Sequence, residues 1–193
     1  MRPEEIPYDL GTLPALEIEQ AYVSFSPVVR VRRINCGERH ILTVKRPTAY
    51  GGLANEEAEK DIDAELYDFL LSAASGTVIR KTRYLHALPG GLTEEIDVFS
   101  GALQGLAYLE IEFPDVESAE NYPSPEWVKA DVTHDVRYKN SALAQDGMPS
   151  ASPEKERKEW YFVRSACKLL AKTTLSLDSS ASSRADSFED KPC

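Results

Sequence analysis

The chain has 193 residues, with 42% hydrophobic and 28% charged residues and a net charge of −10. This composition is typical of a globular protein, and its acidity argues against general nucleic-acid binding. No run of about 18 apolar residues predicts a membrane helix. The N-terminus does not resemble a signal peptide, and the cysteines Cys36, Cys167 and Cys193 match no zinc spacing. These features predict a cytoplasmic protein in a reducing compartment, with no membrane partner.

Alternation of apolar and polar residues predicts seven β-strands in the first 113 residues. They are expected near residues 16–25, 28–35, 39–46, 53–62, 77–86, 92–99 and 106–113. The link NCGE contains Gly37, which predicts a hairpin turn between the second and third strands.

Helices are predicted between and after these strands. Asp63 is expected to cap a helix that Gly76 ends. The apolar face of this helix is predicted to consist of Leu66, Phe69, Leu70 and Ala73.

The remaining residues predict short helices and an extension. A short helix is expected after Pro114, followed by a helical turn in DVRYKNSALAQ. Residues 154–172 are predicted to be helical, with Trp160, Val163, Cys167 and Leu170 along one stripe, and residues 173–193 to be disordered. The predicted domain therefore spans 1–146, and 147–193 form a linker, a helical extension and a tail.

Several strands carry like charges at positions i and i+2, which share one strand face. The pairs are Arg30 with Arg32, Glu57 with Glu59, Lys81 with Arg83, Glu95 with Asp97, and Glu110 with Glu112. For any single strand, a solvated sheet face explains such a pair. Segregation by sign across many strands instead favours a ligand, because like charges on neighbouring strands repel each other. A polyanion with a divalent metal would suit basic residues opposite carboxylates.

The order of motifs resembles the CYTH superfamily, the triphosphate tunnel metalloenzymes, in its compact bacterial-type branch. The stretches that carry the resemblance are LEIEQAYVS, VVRVRRI, ILTVKRP, NEEAEKDI, VIRKTRYLHALPGGLTEEIDVFSGALQGLAYLEIEFP and DVTHDVRYKNSALA. The resemblance implies an α+β fold, in which an eight-stranded antiparallel β-barrel forms a tunnel with a few flanking helices. The family's first-strand motif, Glu-x-Glu-x-Lys, is absent from the N-terminus, and seven strands are counted instead of eight.

The resemblance also implies a role for each charged residue of the strands. Lys45, Glu95 and Asp97 are expected to be catalytic, and Glu110 and Glu112 to hold Mg²⁺ or Mn²⁺. The expected substrate-binding residues are Arg30, Arg32, Lys81, Arg83, Lys139, Glu57 and Glu59. For Glu57 and Glu59, a structural role as partners of the arginines is equally consistent with the sequence.

The activity implied by the resemblance is metal-dependent hydrolysis of a triphosphate, with inorganic tripolyphosphate as the expected substrate. Two alternatives stay open. The chain could be a degenerate domain that binds polyphosphate or organic triphosphates without turnover, since it lacks the N-terminal motif. It could also have adenylate cyclase or thiamine triphosphatase activity. A small triphosphate-containing molecule is the expected partner in each case.

Overall fold

A computed structural model describes residues 6–48, 51–149 and 159–171, and most of these residues lie in β-strands. The strands are β1 (Ala15–Phe25), β2 (Val28–Ile34), β3 (Arg39–Thr48), β4 (Gly51–Ile62), β5 (Ser75–Ala87), β6 (Thr93–Ser100), β7 (Leu106–Phe113), β8 (Ala130–Asp131) and β9 (Glu159–Ala171). The helices are α1 (Ala64–Ser72), α2 (Val116–Asn121) and α3 (Asn140–Asp146). All seven strands predicted before residue 114 are confirmed as β1 to β7.

The strands form one mixed sheet in the order β4-β3-β2-β1-β5-β6-β7-β9-β8. Neighbours from β4 to β7 are antiparallel, as expected. β9 is parallel to β7 on one side and to β4 on the other. The observed fold is thus an α+β arrangement around a nine-stranded mixed sheet, and the predicted antiparallel barrel of eight strands is not confirmed.

The helix predicted over residues 154–172 is wrong where the structure describes it, since residues 159–171 form β9. Trp160 and Phe162 are buried, and Tyr161 between them is only 6% exposed. A helical stripe cannot explain three consecutive buried residues. In the strand, Trp160 and Phe162 pack in one core cluster and Tyr161 packs in a second cluster on the opposite face. The predicted disordered tail lies outside the described residues.

Helix α1 begins where the sequence predicts, because the Asp63 carboxylate accepts a hydrogen bond from the backbone N–H of Leu66. Its predicted apolar face is wrong in part. Leu66 and Phe69 are 41% and 69% exposed, and Tyr67 is fully buried instead. Tyr67 packs with Leu70 and Leu71 in a cluster with residues of β1 and β2.

Gly76 does not end α1; it lies inside β5 with φ of 76°. A Cβ atom at this position would lie 2.4 Å from the carbonyl oxygen of Ala144 in α3. The glycine therefore allows α3 to pack directly on the backbone of β5. The short helix predicted after Pro114 and the helical turn before residue 146 are confirmed as α2 and α3.

Two core clusters lie on either side of β7. Leu109, Ile111 and Phe113 pack with Ala119 of α2 and with residues of β9 on the outer side of the sheet. Tyr108 packs on the inner side, in a cluster that includes Leu143 of α3. The alternation of strand side chains therefore places apolar residues outside and leaves Glu110 and Glu112 on the inner face.

Cys36 lies in the turn between β2 and β3, and the reduced thiols expected from the sequence stay a prediction. The side chains of Cys167 and Cys193 lie outside the described part of the chain. None of the helices in the described ranges has the length and apolar character needed to cross a membrane.

Candidate active site

The inner face of the sheet borders a cavity of about 470 Å³. Eleven of the twelve predicted site residues line it: Arg30, Arg32, Lys45, Glu57, Glu59, Lys81, Arg83, Glu95, Glu110, Glu112 and Lys139. Asp97 does not line the cavity, because it is completely buried behind the others. The roles assigned to these residues stay predictions, but their convergence on one space is a property of the fold.

On the side formed by β2, β3 and β4, basic and acidic side chains alternate across the strands. Arg30, Thr43 and Glu59 are direct neighbours in the strand register. The Arg30 guanidinium lies 3.5 Å from Glu59 and 3.7 Å from Glu57. Lys45 forms a close ion pair with Glu57. Each of these carboxylates thus has a basic partner in the same face.

On the opposite side, Asp97 organises the cations of β5. Its carboxylate accepts hydrogen bonds from Nε and Nη2 of Arg83 at 2.6 and 2.7 Å. Lys81 pairs closely with the same carboxylate. Burial by itself would raise the pKa of the Asp97 carboxyl. The charges of Arg83 and Lys81, with their hydrogen bonds, outweigh burial and lower this pKa to about 2. Asp97 is therefore ionised and holds the two cations in place.

Lys81 is buried together with this carboxylate. Burial is the main reason that its pKa is lowered to about 8, and the charge of Arg83 adds to the effect, although Asp97 acts in the other direction. We expect an incoming anion to restore the charge of this ammonium group, because an opposite charge nearby favours the charged form.

Arg32 differs from the other basic residues of the cavity. It has no ion pair in the described part of the chain, whereas Arg30 pairs with Glu57 and Glu59. The Nε atoms of both arginines are buried without a hydrogen-bond partner among the described residues. Burial, with the charges of Arg30 and Arg83, lowers the pKa of Arg32 to about 10. A partly buried cation without a fixed partner is costly unless a ligand supplies the anion.

Glu95 and Glu110 are directly opposite each other on β6 and β7. Both contact Arg83, Glu95 closely and Glu110 at 3.4 Å. Burial raises the pKa of Glu95, and the charges of Glu110 and Asp97 add to this effect while Arg83 opposes it. The sequence predicted Glu95 as a catalytic residue and Glu110 and Glu112 as a metal-binding pair, but it did not predict that Glu95 lies directly opposite Glu110.

The carboxylates suit a metal that keeps part of its water shell. Within residues 6–48, 51–149 and 159–171, no three His, Cys, Asp or Glu side chains are close enough to one another to hold a metal ion. Mg²⁺ commonly uses one or two carboxylates and completes its coordination with water and phosphate. Glu110 and Glu112, two residues apart on the inner face of β7, fit that requirement.

Sequence reasoning missed the contribution of β9 to the cavity. Val163 and Ser165 line it and lie beside Glu110 and Glu112 in the strand register. The helical interpretation of this segment concealed the alternation. The sequence EKERK at residues 154–158 has the Glu-x-Glu-x-Lys spacing expected at the N-terminus, and it lies outside the described residues.

Lys139 enters the cavity from the segment before α3. Burial lowers its pKa, with the charge of Glu110 acting in the other direction. Tyr108 donates a hydrogen bond of 2.8 Å to the carbonyl oxygen of Tyr138. This contact ties the segment to β7 and places Lys139 near the carboxylates.

Most of the chain is similar in sequence to known proteins. No family model matches. The chain is 36% identical over 135 residues to the inorganic triphosphatase of Nitrosomonas europaea, covering 69% of this chain and 87% of the relative. It is 35% identical over 130 residues to the inorganic triphosphatase of Acetivibrio thermocellus, covering 66% and 79%. The crystal structure of an inorganic triphosphatase aligns with a TM-score of 0.50 at 31% identity, covering 73% and 88%.

Proposed function

Because the chain belongs to the family of inorganic triphosphatases, we propose that it hydrolyses inorganic tripolyphosphate in the cavity described above. We also propose that the chain is a member of the CYTH superfamily and that the cavity binds the triphosphate as the tunnel does in that superfamily. The single observation that carries it is the convergence of five basic side chains, those of Arg30, Arg32, Lys45, Lys81 and Arg83, around one space. Basic groups at this density match the phosphate oxygens of a triphosphate.

In the proposed reaction, water attacks the terminal phosphorus of tripolyphosphate. The new P–O bond forms as the bond between that phosphorus and its bridging oxygen breaks, giving orthophosphate and pyrophosphate. The basic side chains neutralise the charge that accumulates on the phosphate oxygens. Bound Mg²⁺ or Mn²⁺ would be held by Glu110 and Glu112 and would supply Lewis-acid stabilisation of a phosphate oxygen.

Glu95 is the carboxylate best placed to accept the proton of the attacking water. It lines the cavity, and its raised pKa brings it closer to the range of an effective general base. Asp97 is a poor proton acceptor, since it does not border the cavity and its pKa is about 2. We therefore give Asp97 the role of positioning Arg83 and Lys81.

A phosphate-release assay tests the proposal. The purified chain is supplied with tripolyphosphate, ATP or thiamine triphosphate, each with Mg²⁺ or Mn²⁺ and with no metal. We expect release from tripolyphosphate with metal, at rates above those of the two organic substrates. A lack of phosphate release from all three would reject hydrolysis, and faster turnover of an organic triphosphate would assign a different substrate.

Binding without turnover is a second candidate. It is favoured by Val163 and Ser165, because the neighbours of Glu110 and Glu112 on the β9 side are not carboxylates. In that case, calorimetry would give micromolar tripolyphosphate binding without metal, and the assay would show no phosphate. A titration without heat would reject this candidate.

A further inference from the structure

The carboxylates of the cavity are already neutralised by cations of the chain itself. Glu57 contacts Arg30 and Lys45. Glu95 and Glu110 share Arg83. A metal ion arriving alone would have to compete with these guanidinium and ammonium groups for the same oxygens.

The charges around the cavity are close to balance. Seven basic and six acidic side chains line it. A triphosphate alone would add several negative charges, and a divalent metal alone would add two positive ones. Charges that are not balanced in a partly buried space are costly, because the surroundings screen them less than water does. Metal and triphosphate together leave a smaller net charge than the triphosphate alone.

We infer that triphosphate and divalent metal bind this cavity with positive coupling, through an exchange of partners. Phosphate oxygens replace the carboxylates as partners of Arg30, Lys45 and Arg83. Glu110, once released from Arg83, then takes the metal together with Glu112. This inference rests on the proposed function, since it concerns the same site. Arg32, whose Nε has no described partner, provides a first contact for phosphate that requires no exchange.

Coupling of this kind is reciprocal, so the metal tightens triphosphate binding by the same factor as triphosphate tightens metal binding. The factor is expected to be about 5- to 150-fold, the usual range for coupled sites. A cavity that attracted phosphate only through its basic residues would behave in the opposite way. A metal-complexed triphosphate carries less negative charge and would bind more weakly.

The experiment uses the full chain and a triphosphate whose bridging oxygens are replaced by methylene groups, so that no hydrolysis occurs. Calorimetry measures its affinity without metal and at a fixed free Mn²⁺ concentration, and Mn²⁺ alone is titrated separately. Melting temperatures are recorded for the chain alone, with the analogue, with Mn²⁺ and with both. We expect weak binding of Mn²⁺ alone, at least fivefold tighter binding of the analogue with Mn²⁺, and a joint melting shift larger than the sum of the separate shifts.

Glu110→Gln is the diagnostic variant, because it removes one carboxylate and releases Arg83 from one partner. It should bind the metal-free analogue at least as tightly as the parent and lose the gain from Mn²⁺. Glu56→Gln is the matched control, since Glu56 pairs with Arg46 on an exposed part of β4. It should keep the parent's gain.

Three results would overturn the inference: an analogue affinity that Mn²⁺ lowers or leaves unchanged, tight binding of Mn²⁺ alone, or a Glu110→Gln variant that keeps the gain. If any of these results is obtained while the parent chain still releases phosphate from tripolyphosphate, only the coupling is wrong. If the analogue binds under none of the conditions and no phosphate is released, the coupling and the proposed function are both wrong.

Discussion

Arg32 and Arg33 are adjacent on β2, and they are in opposite electrostatic environments. Arg33 donates a hydrogen bond of 2.8 Å to Glu19, which also accepts from Arg80 and from the Tyr67 hydroxyl. Arg32 lines the cavity, and its Nε is buried without a described partner. On the outer face, the arginines pair with a carboxylate of the chain itself. On the inner face, Arg32 has no such partner among the described residues, so a ligand can supply the anion.

The same contrast separates the contributions of the two faces to stability and function. Apolar packing and satisfied ion pairs on the outer face stabilise the fold. The Arg32 guanidinium, which has no ion pair among the described residues, works against it on the inner face, as is common where a protein binds a ligand. Substitutions on the outer face should therefore change stability, and those on the inner face should change binding.

The largest expected effect is on the outer face of β9. Phe162 is fully buried among residues of β7 and α2. Phe162→Ala should lower the free energy of unfolding by about 3–5 kcal/mol, through lost burial and the cavity that remains. Urea denaturation measures the effect, and Ser165→Ala on the other face of the same strand is the control. A Phe162→Ala variant as stable as the parent would show that β9 does not pack in this core.

On the inner face, the double variant Glu110→Gln/Glu112→Gln should remain folded. Its rate of metal-dependent turnover should fall by about 100-fold. It should also lose any rise in melting temperature with Mg²⁺ or Mn²⁺, because the amide groups are poor replacements for charged ligands. Phosphate release and thermal melting measure the two effects. If both persist in the variant, these residues form an ordinary solvated strand face.

Neighbouring arginines allow the sharpest comparison between the faces. Arg32→Ala should weaken tripolyphosphate binding by about 1.5–3 kcal/mol, the value of a charge-assisted contact, with unfolding stability unchanged or increased. Arg33→Ala should leave binding intact and reduce stability by up to about 1 kcal/mol. Calorimetry and urea denaturation are run on both variants. Equal binding by parent and Arg32→Ala would contradict the assignment of the inner face.

The other basic residues should follow a ranking within the inner face. Arg83→Ala should weaken binding more than Lys45→Ala, since arginine can hold two phosphate oxygens while lysine acts as a point charge. Arg83→Ala also leaves Asp97 without its two hydrogen bonds from this residue, so its folding is checked by circular dichroism. Arg46→Ala, next to Lys45 and paired with Glu56, is the control. A larger loss in Lys45→Ala would reverse the proposed order.

The smallest expected effect is a pH dependence of metal-free binding. The pKa of Lys81 is about 8, so its charged fraction falls about threefold between pH 7.5 and 8.5. Affinity for tripolyphosphate should fall by a similar factor, and binding above pH 8 should take up a proton. Calorimetry in two buffers of different ionisation enthalpy measures the uptake. Lys81→Arg should remove this pH dependence, because arginine stays charged; its persistence there would point to another group.

The sequence by itself determined the local structure of the first seven strands and the set of charged residues that meets at the cavity. Strand alternation has a period of two, so residues such as Glu110 and Glu112 must share a face whatever the surrounding fold. The capping carboxylate of Asp63 is equally local, and it was correctly predicted. Charges segregated by sign then indicated which face would meet a ligand.

Only the tertiary structure decided how β9 is used and which face of α1 is buried. The charged residues before Trp160 favour a surface helix when only neighbouring positions are considered. In the fold, β7 and β4 provide hydrogen-bonding edges on both sides of this segment, which therefore forms a strand. Parallel pairing between residues more than fifty positions apart has no local signature. Likewise, Tyr67 is buried instead of Phe69 because of where β1 and β2 lie, and Asp97 lies behind the cavity because Lys81 and Arg83 enclose it.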